Sequence, residues 1–354
     1  MPSSSENIPK SLNGWASTGK GKQLENLELP LKTFQDDDVD MRITHCGICG
    51  SDIHTIDSGW GPTNYPCVVG HEITGVCTAV GKNVTHIKVG DRIGVGAQSG
   101  SCGECDDCKS GHENTCSSGK ATFTYNSKWP TGEEAYGGYA DKWRGHSRFV
   151  FKIPENMSNE IAATFFCAGV TTYAPLKRYG VTKGSKVGVI GIGGLGHFAV
   201  QWAKAMGAEV VALSHSDKKR EDAAKLGCSD YVVTSNKDEM KQHNSTLTHI
   251  ICTAYSSHFD WPANLNLLKT NGTFILVGLP EAPLAGIPAG LLAVRQITLC
   301  GSIIGSPSDI QEMLEFADKT GVKPWIQKYP MSEVNKAIED FREGKPRYRF
   351  VLEN

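Results

Sequence analysis

Four cysteines in one short segment have the residue type and spacing of a metal site. The run GSCGECDDCKSGHENTC places them in the pattern C-x2-C-x2-C-x7-C. Four thiolates so close together can surround a zinc ion tetrahedrally and leave no position for chemistry, which is typical of a structural site. We therefore predict a structural zinc at these residues: Cys102, Cys105, Cys108 and Cys116.

A second group of possible metal ligands is dispersed along the chain. Cys49, His71, Glu72 and Cys167 combine thiolate, imidazole and carboxylate from well-separated segments. This mixture is expected of a catalytic zinc that keeps one position for water or substrate. Cys46 forms a CxxC pair with Cys49, but no second CxxC at knuckle spacing accompanies them. The residues alone indicate that one of these two cysteines binds metal and not both.

The bulk composition excludes several classes of protein. The chain has 354 residues, which favours two domains, and a formal net charge of -2, which gives no general attraction to nucleic acid. No apolar run approaches the roughly 18 residues of a membrane helix, and the N-terminus has no signal-like apolar region. We therefore expect a cytoplasmic protein that binds neither nucleic acid nor membrane. Six further cysteines are expected to be buried thiols: Cys46, Cys67, Cys77, Cys228, Cys252 and Cys300.

The elements that must position these residues differ between the two halves. Short β-type stretches at 39–46, 73–81 and 91–97 predict a β-rich first domain. From residue 186 an apolar strand enters a glycine-rich turn and then a helical pattern, which is the context of a dinucleotide-binding turn. Later strand-like runs alternate with helical segments and predict a parallel sheet, hence an α/β fold. The turn residues are Gly191, Ile192, Gly193, Gly194, Leu195 and Gly196.

The end of the next strand predicts which nucleotide is bound. An acidic residue there would pair with the adenosine ribose and repel a 2′-phosphate, but this chain has Ser214. Hydroxyl, imidazole and cationic groups follow, and such donors suit a phosphate. We therefore predict NADP(H) in preference to NAD(H). The residues predicted to surround the 2′-phosphate are Ser214, His215, Ser216, Lys218, Lys219 and Arg220.

Around His71 the chain resembles the zinc-containing alcohol dehydrogenases of the medium-chain dehydrogenase/reductase superfamily. The run that carries the resemblance is Gly70, His71, Glu72, Gly75, Gly81 and Val84, and the four-cysteine loop matches the structural zinc lobe of that family. The family register selects the cysteine of C-G-S-D over Cys46. The resemblance then implies that Cys49, His71 and Cys167 bind the catalytic zinc, and that Glu72 is an intermittent fourth ligand.

The same resemblance assigns the catalytic groups. Asp52 corresponds to the carboxylate that accepts the ring N–H of His71. Ser51 and His54 fall at the positions of a proton relay, because a hydroxyl followed by an imidazole can move a proton out of a buried site. Trp60 and Phe123 are candidates for the substrate pocket, although a surface or core role is an equal alternative for either.

The resemblance also gives the domain plan. It implies a GroES-like catalytic domain at 1–155, a Rossmann NADP-binding domain at 156–300 and a return to the first domain at 301–354, where two helical patterns precede a final strand. Cys167 would tie the domains together through zinc, and a homodimer is expected. Further residues implied to line the nucleotide are Thr171, Thr253, Gly278, Ser302, Ile303 and Ile304.

The function that follows is an NADP(H)-dependent alcohol dehydrogenase, used as an aldehyde reductase, with two zinc ions per chain. Similarity to the cinnamyl-alcohol-dehydrogenase-like subfamily implies aromatic or medium-chain aldehyde substrates, such as cinnamaldehyde. Two alternatives remain: a reductase of activated C=C or iminium bonds on the same fold, and a non-catalytic NADPH- or zinc-binding interaction protein. The second alternative predicts nucleotide binding without turnover.

Overall fold

The computed structural model describes residues 8–255 and 259–354. The chain divides into two compact units. The first unit contains the described residues up to Cys167 together with Gly305–Lys319 and Pro324–Asn354. The second unit contains the described residues of Ala168–Ile304 and the short segment Thr320–Lys323.

Among the described residues, twenty strands supply most of the regular structure of the first unit and the sheet of the second. In chain order they are β1 (Ser11–Ser17), β2 (Leu24–Pro30), β3 (Asp38–Gly47), β4 (Cys67–Val68), β5 (Ile73–Val80), β6 (Arg92–Val95), β7 (Gln98–Gly100), β8 (Thr122–Phe123), β9 (Ser127–Lys128), β10 (Glu134–Ala135), β11 (Lys142–His146), β12 (Phe151–Lys152), β13 (Lys186–Ile190), β14 (Glu209–Ser214), β15 (Asp230–Val233), β16 (Leu247–Cys252), β17 (Leu268–Leu276), β18 (Thr298–Gly301), β19 (Ile326–Pro330) and β20 (Arg349–Glu353).

In the part of the chain that the structure describes, eleven α-helices connect or cover these strands. They are α1 (Gly50–Ile56), α2 (Asp106–Lys109), α3 (Asn159–Ala163), α4 (Ala168–Arg178), α5 (Gly196–Ala205), α6 (Arg220–Leu226), α7 (Lys237–Gln242), α8 (Trp261–Asn266), α9 (Ala289–Arg295), α10 (Pro307–Thr320) and α11 (Val334–Arg342). Short 3-10 helices lie at Glu113–Thr115, Ser147–Phe149, Thr164–Phe166, Asp217–Lys219 and Met331–Glu333. In the part of the chain that the structure describes, no helix combines the length and the apolar character needed to cross a membrane.

The first unit is built around a seven-stranded sheet. Its strands follow the order β12-β6-β5-β3-β20-β19, and β11 also pairs with β3. The C-terminal strands β19 and β20 thus join the sheet that the N-terminal half begins, with β20 antiparallel to β3. The centre of the core contains Ile43, Ile73 and Trp143, each at most 1% exposed. β3 leads directly into α1, so this rigid sheet fixes where α1 begins.

The second unit is a parallel sheet covered by helices. Its strand order is β15-β14-β13-β16-β17-β18, and every pairing is parallel. Numbered from β13, this is the order 3-2-1-4-5-6 of the doubly wound dinucleotide-binding fold. Phe198 and Trp202 of α5 are completely buried, and the Trp202 indole donates to the carbonyl oxygen of Gly169 at 3.0 Å. The predicted Rossmann-type sheet is confirmed.

Local signals delimit several helices. Asn236 caps α7, because its side-chain oxygen accepts hydrogen bonds from the backbone N–H groups of Asp238 and Glu239. α6 is followed by Gly227, whose φ of 114° is a left-handed conformation that glycine adopts without steric cost. α10 likewise stops just before Gly321, with φ of 74°. The two C-terminal helices expected from the sequence are therefore present.

Candidate active site and cofactor-binding groups

Asp52 organises the segments that carry the proposed metal ligands. It lies in the first turn of α1, is completely buried, and its Oδ2 atom accepts the backbone N–H of Cys49 at 2.8 Å. Its Oδ1 atom lies 3.0 Å from Nδ1 of His71 and accepts the backbone N–H of Gly70 at 3.1 Å. The Tyr139 hydroxyl donates to Oδ2 at 3.1 Å. One carboxylate therefore fixes the backbone at Cys49 and the orientation of the His71 ring.

Three predicted ligands meet in one buried group. The Sγ atoms of Cys49 and Cys167 lie 4.0 Å apart, and Nε2 of His71 lies 3.0 Å from Sγ of Cys167. All three ligand atoms lie within 4.8 Å of one another. Tetrahedral zinc with Zn–S bonds of about 2.3 Å separates two sulfurs by about 3.8 Å, so the donor types and spacing fit the ion.

Cys46 lies apart from this group. It is completely buried on β3, and its Sγ atom faces the carbonyl oxygen of Gly47 at 3.6 Å. Burial raises the pKa of the Cys46 thiol well above its ordinary value. A hydrogen bond from Cys167 instead lowers the pKa of Cys49 well below its ordinary value. Of the two cysteines, only Cys49 lies in the group with His71 and Cys167.

Glu72 is adjacent to the ligand group but is paired with a cation. Its Oε2 atom accepts a hydrogen bond from Nη2 of Arg349 at 2.5 Å, and both side chains are buried. Burial raises the pKa of Glu72 to about 7, although the positive charge of Arg349 acts in the opposite direction. In this structure the carboxylate therefore belongs to an ion pair and is not in the three-ligand group.

The predicted relay residues share one helix. Ser51 lies in the first turn of α1 with its Oγ atom 3.7 Å from Sγ of Cys49, and His54 lies one turn later. The His54 ring stacks on Trp60, with ring centroids 4.5 Å apart and an angle of 21°. Trp60 and Phe123 are each 44% exposed. The structure therefore brings Ser51 to a predicted metal ligand and places Trp60 against the imidazole of the predicted relay.

The four-cysteine loop closes on itself. Sγ–Sγ distances are 3.8 Å between Cys102 and Cys108, 3.9 Å between Cys105 and Cys116, and 3.6 Å between Cys116 and Cys102. These separations match a tetrahedral tetrathiolate zinc. The backbone N–H groups of Glu104 and Cys105 donate to Cys102 Sγ at 3.4 and 3.3 Å, which offsets the negative charge of the thiolates.

The glycine-rich turn has the shape that a pyrophosphate requires. Gly191 has φ of 85°, and a Cβ atom on Gly196 would lie 1.8 Å from the carbonyl oxygen of Gly191. Gly193 instead faces open space. The first and third glycines thus permit the tight turn into α5, and the second leaves room for close approach of a ligand. Thr253 stabilises the turn, since its Oγ1 atom donates to Ile190 and Gly191 carbonyl oxygens, both at 2.8 Å.

The residues after β14 form a polar surface beside that turn. Lys219 donates from Nζ to the Ile192 carbonyl oxygen at 2.6 Å, so one predicted phosphate ligand contacts the turn directly. Ser214 is buried at the end of β14, whereas His215 is exposed and Ser216 is partly exposed. Arg220 forms an ion pair with Asp217 in addition to stacking on an aromatic ring.

The remaining predicted nucleotide contacts lie within the second unit. Thr171 is in α4, and its buried Oγ1 atom has no hydrogen-bond partner in the described chain. Ser302 likewise has a buried Oγ atom without such a partner. Orphaned buried hydroxyls of this kind fit a bound polar ligand. Gly278 follows β17, where a Cβ atom would be in ordinary contact with Thr253, and Ile303 is 42% exposed beside Ile304.

Three residues of the metal centre were not found from the sequence. Arg349 pairs with Glu72, Tyr139 donates to Asp52, and Tyr125 places its ring 5.3 Å from the His71 ring. None of them lies in a recognisable motif next to its partner. The charged position of Arg349 inside a predicted strand was the only local signal, since a buried cation in a sheet requires an anion.

Comparisons with known proteins agree with this arrangement. Residues 35–155 match the family of alcohol dehydrogenase GroES-like domains, and residues 194–319 match the family of zinc-binding dehydrogenases. Cinnamyl alcohol dehydrogenase 7 of Oryza sativa subsp. japonica is 43% identical over 350 residues, which cover 96% of this chain and 92% of the relative.

Two solved structures extend the agreement to the fold. A cinnamyl alcohol dehydrogenase of Sorghum bicolor superposes with a TM-score of 0.93 at 38% identity, covering 97% of this chain and 98% of that chain. An enzyme of Helicobacter pylori, described as CAD complexed with NADP(H), gives a TM-score of 0.90 at 35% identity over 98% of this chain and 99% of that chain.

A dinucleotide-binding sheet, a GroES-like β domain and a Cys–His–Cys group together define a zinc-binding dehydrogenase. This chain belongs to the zinc-binding alcohol dehydrogenase family. The family resemblance inferred from the sequence is therefore confirmed, as is the prediction of an oxidoreductase that acts on small-molecule alcohols or aldehydes.

Proposed function

We propose that this chain is an NADP(H)-dependent alcohol dehydrogenase that reduces aromatic and medium-chain aldehydes, including cinnamaldehyde. The observation that carries the proposal is the buried group of Cys49, His71 and Cys167, whose ligand atoms lie within 4.8 Å of one another. Three protein ligands leave one coordination position for substrate oxygen, as expected of catalytic zinc. The names of the relatives at 38% to 43% identity support the substrate class.

The proposed chemistry divides between the bound groups and the chain. When bound, zinc supplies a Lewis acid for the carbonyl oxygen and the nicotinamide supplies hydride. Ser51 lies 3.7 Å from a metal ligand, so its hydroxyl is placed to donate a proton to the product alkoxide. His54, one turn further along α1, replaces that proton from solvent. Asp52 holds His71 in the tautomer that presents Nε2 to the metal.

Glu72 is proposed as a fourth ligand that exchanges with substrate. Its position next to His71 in the sequence and its complete burial support this role. To reach a metal it would have to leave Arg349, with which it is paired in the described structure. While Arg349 holds Glu72, a zinc ion bound to the other three ligands would keep one position for water or for the carbonyl oxygen.

The nucleotide preference follows from the residues after β14. Ser214 is present where an acidic residue would select NAD(H), and Lys219 lies within hydrogen-bond distance of the glycine-rich turn. The Helicobacter pylori relative is described as a complex with NADP(H), which supports the same choice. Ser214→Asp should weaken NADP+ binding by at least tenfold while improving NAD+ binding. Unchanged NADP+ affinity would show that the assignment is wrong.

The substrate class is tested by turnover with both nucleotides. We expect the zinc-loaded protein to oxidise NADPH with cinnamaldehyde and to contain two zinc ions per chain by elemental analysis. Preferential reduction of an enone C=C bond would favour the alternative reductase on this fold. Nucleotide binding without turnover, with a single zinc, would favour a non-catalytic binding protein.

We also propose a homodimer formed through the second unit. β18 is an edge strand of the parallel sheet, and the preceding helix α9 has no buried residue in the described chain. Val294 of that helix is 83% exposed. An unpaired strand edge beside an exposed apolar helix is a surface that a second copy can cover with twofold symmetry. Val294→Lys should therefore shift the protein towards monomer in sedimentation equilibrium, whereas a monomeric wild type would refute the proposal.

A cytoplasmic location is proposed on the chemistry of the thiols. All twelve cysteines are free thiols, and both ligand groups require thiolates. A reducing compartment keeps such groups available for metal. Fractionation of expressing cells with a compartment marker tests the location, and recovery outside the cytoplasmic fraction would contradict it.

A further inference from the structure

Tyr125 connects the four-cysteine loop to the catalytic ligand group within the first unit. The loop begins after β7 and ends before β8, and these two strands pair antiparallel. Gln98 of β7 donates from Nε2 to the Glu113 carbonyl oxygen at 2.7 Å, inside the loop. The pairing of β7 with β8 therefore closes the base of the loop, and the Gln98 side chain binds the backbone inside the loop at Glu113.

Hydrogen bonds fix the backbone that follows β8 on both sides of Tyr125, at Thr124 and at Asn126. Thr124 is completely buried, its N–H donates to Ala97 at 3.0 Å, and its hydroxyl donates to Gly96 at 2.5 Å. On the other side Asn126 adopts a left-handed conformation with φ of 48°. The Asn126 side-chain oxygen accepts the backbone N–H of Asn64 at 2.9 Å. Tyr125 therefore has little freedom to move independently of the base of the loop.

The side chain of Tyr125 lies against His71, a ligand of the proposed catalytic metal. The Tyr125 and His71 ring centroids are 5.3 Å apart at an angle of 56°. Tyr125 is partly buried against the core of the first unit. Burial, and then the negative charge of Asp52, raises the pKa of Tyr125 well above its ordinary value. The His71 ring has a contact at each nitrogen, with Asp52 at Nδ1 and with Cys167 Sγ at Nε2, and the Tyr125 ring beside it restricts rotation about the line that joins these contacts.

We propose that Tyr125 is a positioning residue that couples the four-cysteine loop to the His71–Asp52 pair, so that the loop contributes to metal retention at the catalytic centre. The strand pair at the base of the loop and the residues just before it hold Thr124, Thr124 fixes Tyr125, and Tyr125 keeps the His71 ring directed at the metal. The inference rests on the metal centre proposed above. It gives the four-cysteine loop a role beyond local stability.

The coupling predicts a non-additive pair of substitutions. Partners that orient metal-bound histidines typically change metal affinity 10- to 100-fold. Tyr125→Leu should therefore speed cobalt(II) release to a chelator about tenfold and alter the visible cobalt spectrum, which reports ligand geometry. Tyr125→Phe, which keeps the ring, should retain most of the slow release. Thr124→Val removes both hydrogen bonds of the hydroxyl, to the Gly96 carbonyl oxygen and with the Ser99 hydroxyl, and should give a smaller increase in cobalt release of the same kind.

The double variant Thr124→Val/Tyr125→Leu distinguishes coupling from general loosening. If Thr124 acts through Tyr125, the double variant should release cobalt no faster than the Tyr125→Leu variant alone. Tyr329→Leu is the matched control, because Tyr329 is a partly buried tyrosine of the same unit whose hydroxyl donates to Asp340 at 2.8 Å, and it should leave the spectrum unchanged. The thermal unfolding of every variant is also measured, so that cobalt release caused by unfolding of the protein can be recognised.

The outcomes separate the coupling from the metal centre itself. Wild-type protein that binds only one cobalt equivalent would refute the proposed catalytic centre. Two equivalents in the wild type, with unchanged release and spectrum in Tyr125→Leu, would refute only the coupling. Additive effects in the double variant would likewise show that Thr124 and Tyr125 act independently.

Discussion

Removal of Arg349 should destabilise the first unit severely, because the buried Glu72 carboxyl group would lose the cation that pairs with it. The Glu72 side chain is completely buried and that of Arg349 is 4% exposed. Breaking a buried pair by removing one partner typically costs about 3 to 5 kcal/mol. For a unit of roughly 150 to 250 residues, this corresponds to a fall in Tm of about 6 to 20 °C for Arg349→Met.

The magnitude can be checked against a double variant and a surface control. Glu72→Gln/Arg349→Met removes both charges and should recover most of the loss. Arg342→Met breaks the exposed pair with Asp57 and should cost less than about 1 kcal/mol. Urea unfolding of the zinc-loaded proteins at pH 8, followed by circular dichroism, gives the free energies. The reasoning fails if Arg349→Met costs no more than Arg342→Met, or if the double variant is as unstable as the single one.

Three further predictions test the metal centre and its surroundings. Elemental analysis should show that the Cys49→Ala variant has lost the catalytic zinc and that the Cys46→Ala variant retains it. Equal loss of zinc from both variants would refute the ligand assignment. Asp52→Asn should weaken metal affinity about 10- to 100-fold in chelator competition, because the amide orients His71 less strongly. Burial lowers the pKa of His45, so stability present above about pH 6.5 should be lost as pH falls, since the unfolded chain protonates first. His45→Gln should flatten the fall in Tm between pH 7 and pH 5, and an unchanged slope would contradict this.

Local motifs made much of the fold predictable. The glycine-rich turn could be recognised because a strand precedes it and a helix follows it, and the positive φ of Gly191 is a property that only a few residue types tolerate. The four-cysteine loop could be recognised because all its ligands lie within one short segment. In both cases the residues that must come together are already close in the sequence, so their spacing is enough to predict how they are arranged in space.

The partners of the catalytic group could not be predicted in the same way. Glu72 and Arg349 are 277 positions apart, and Asp52 and Tyr139 are 87 positions apart. These contacts depend on which strands become neighbours, above all on β20 pairing with β3. Sequence patterns predict that a strand is present, but not which strand it pairs with. Resemblance to a family supplied Cys167 as a ligand, which spacing alone would not have done.

The different ligands of the two cysteine groups bear on which of them could support catalysis. A zinc ion held by the thiolates of Cys49 and Cys167 and by neutral His71 would carry no net charge, so it would still attract the electrons of a carbonyl oxygen. Zinc with four thiolates carries a net charge of about -2, which removes that attraction. If Cys46 were also a ligand, the catalytic centre would become anionic and would lose its substrate position. The separation of Cys46 from the group is therefore what the proposed catalytic metal would require for both its charge and its geometry.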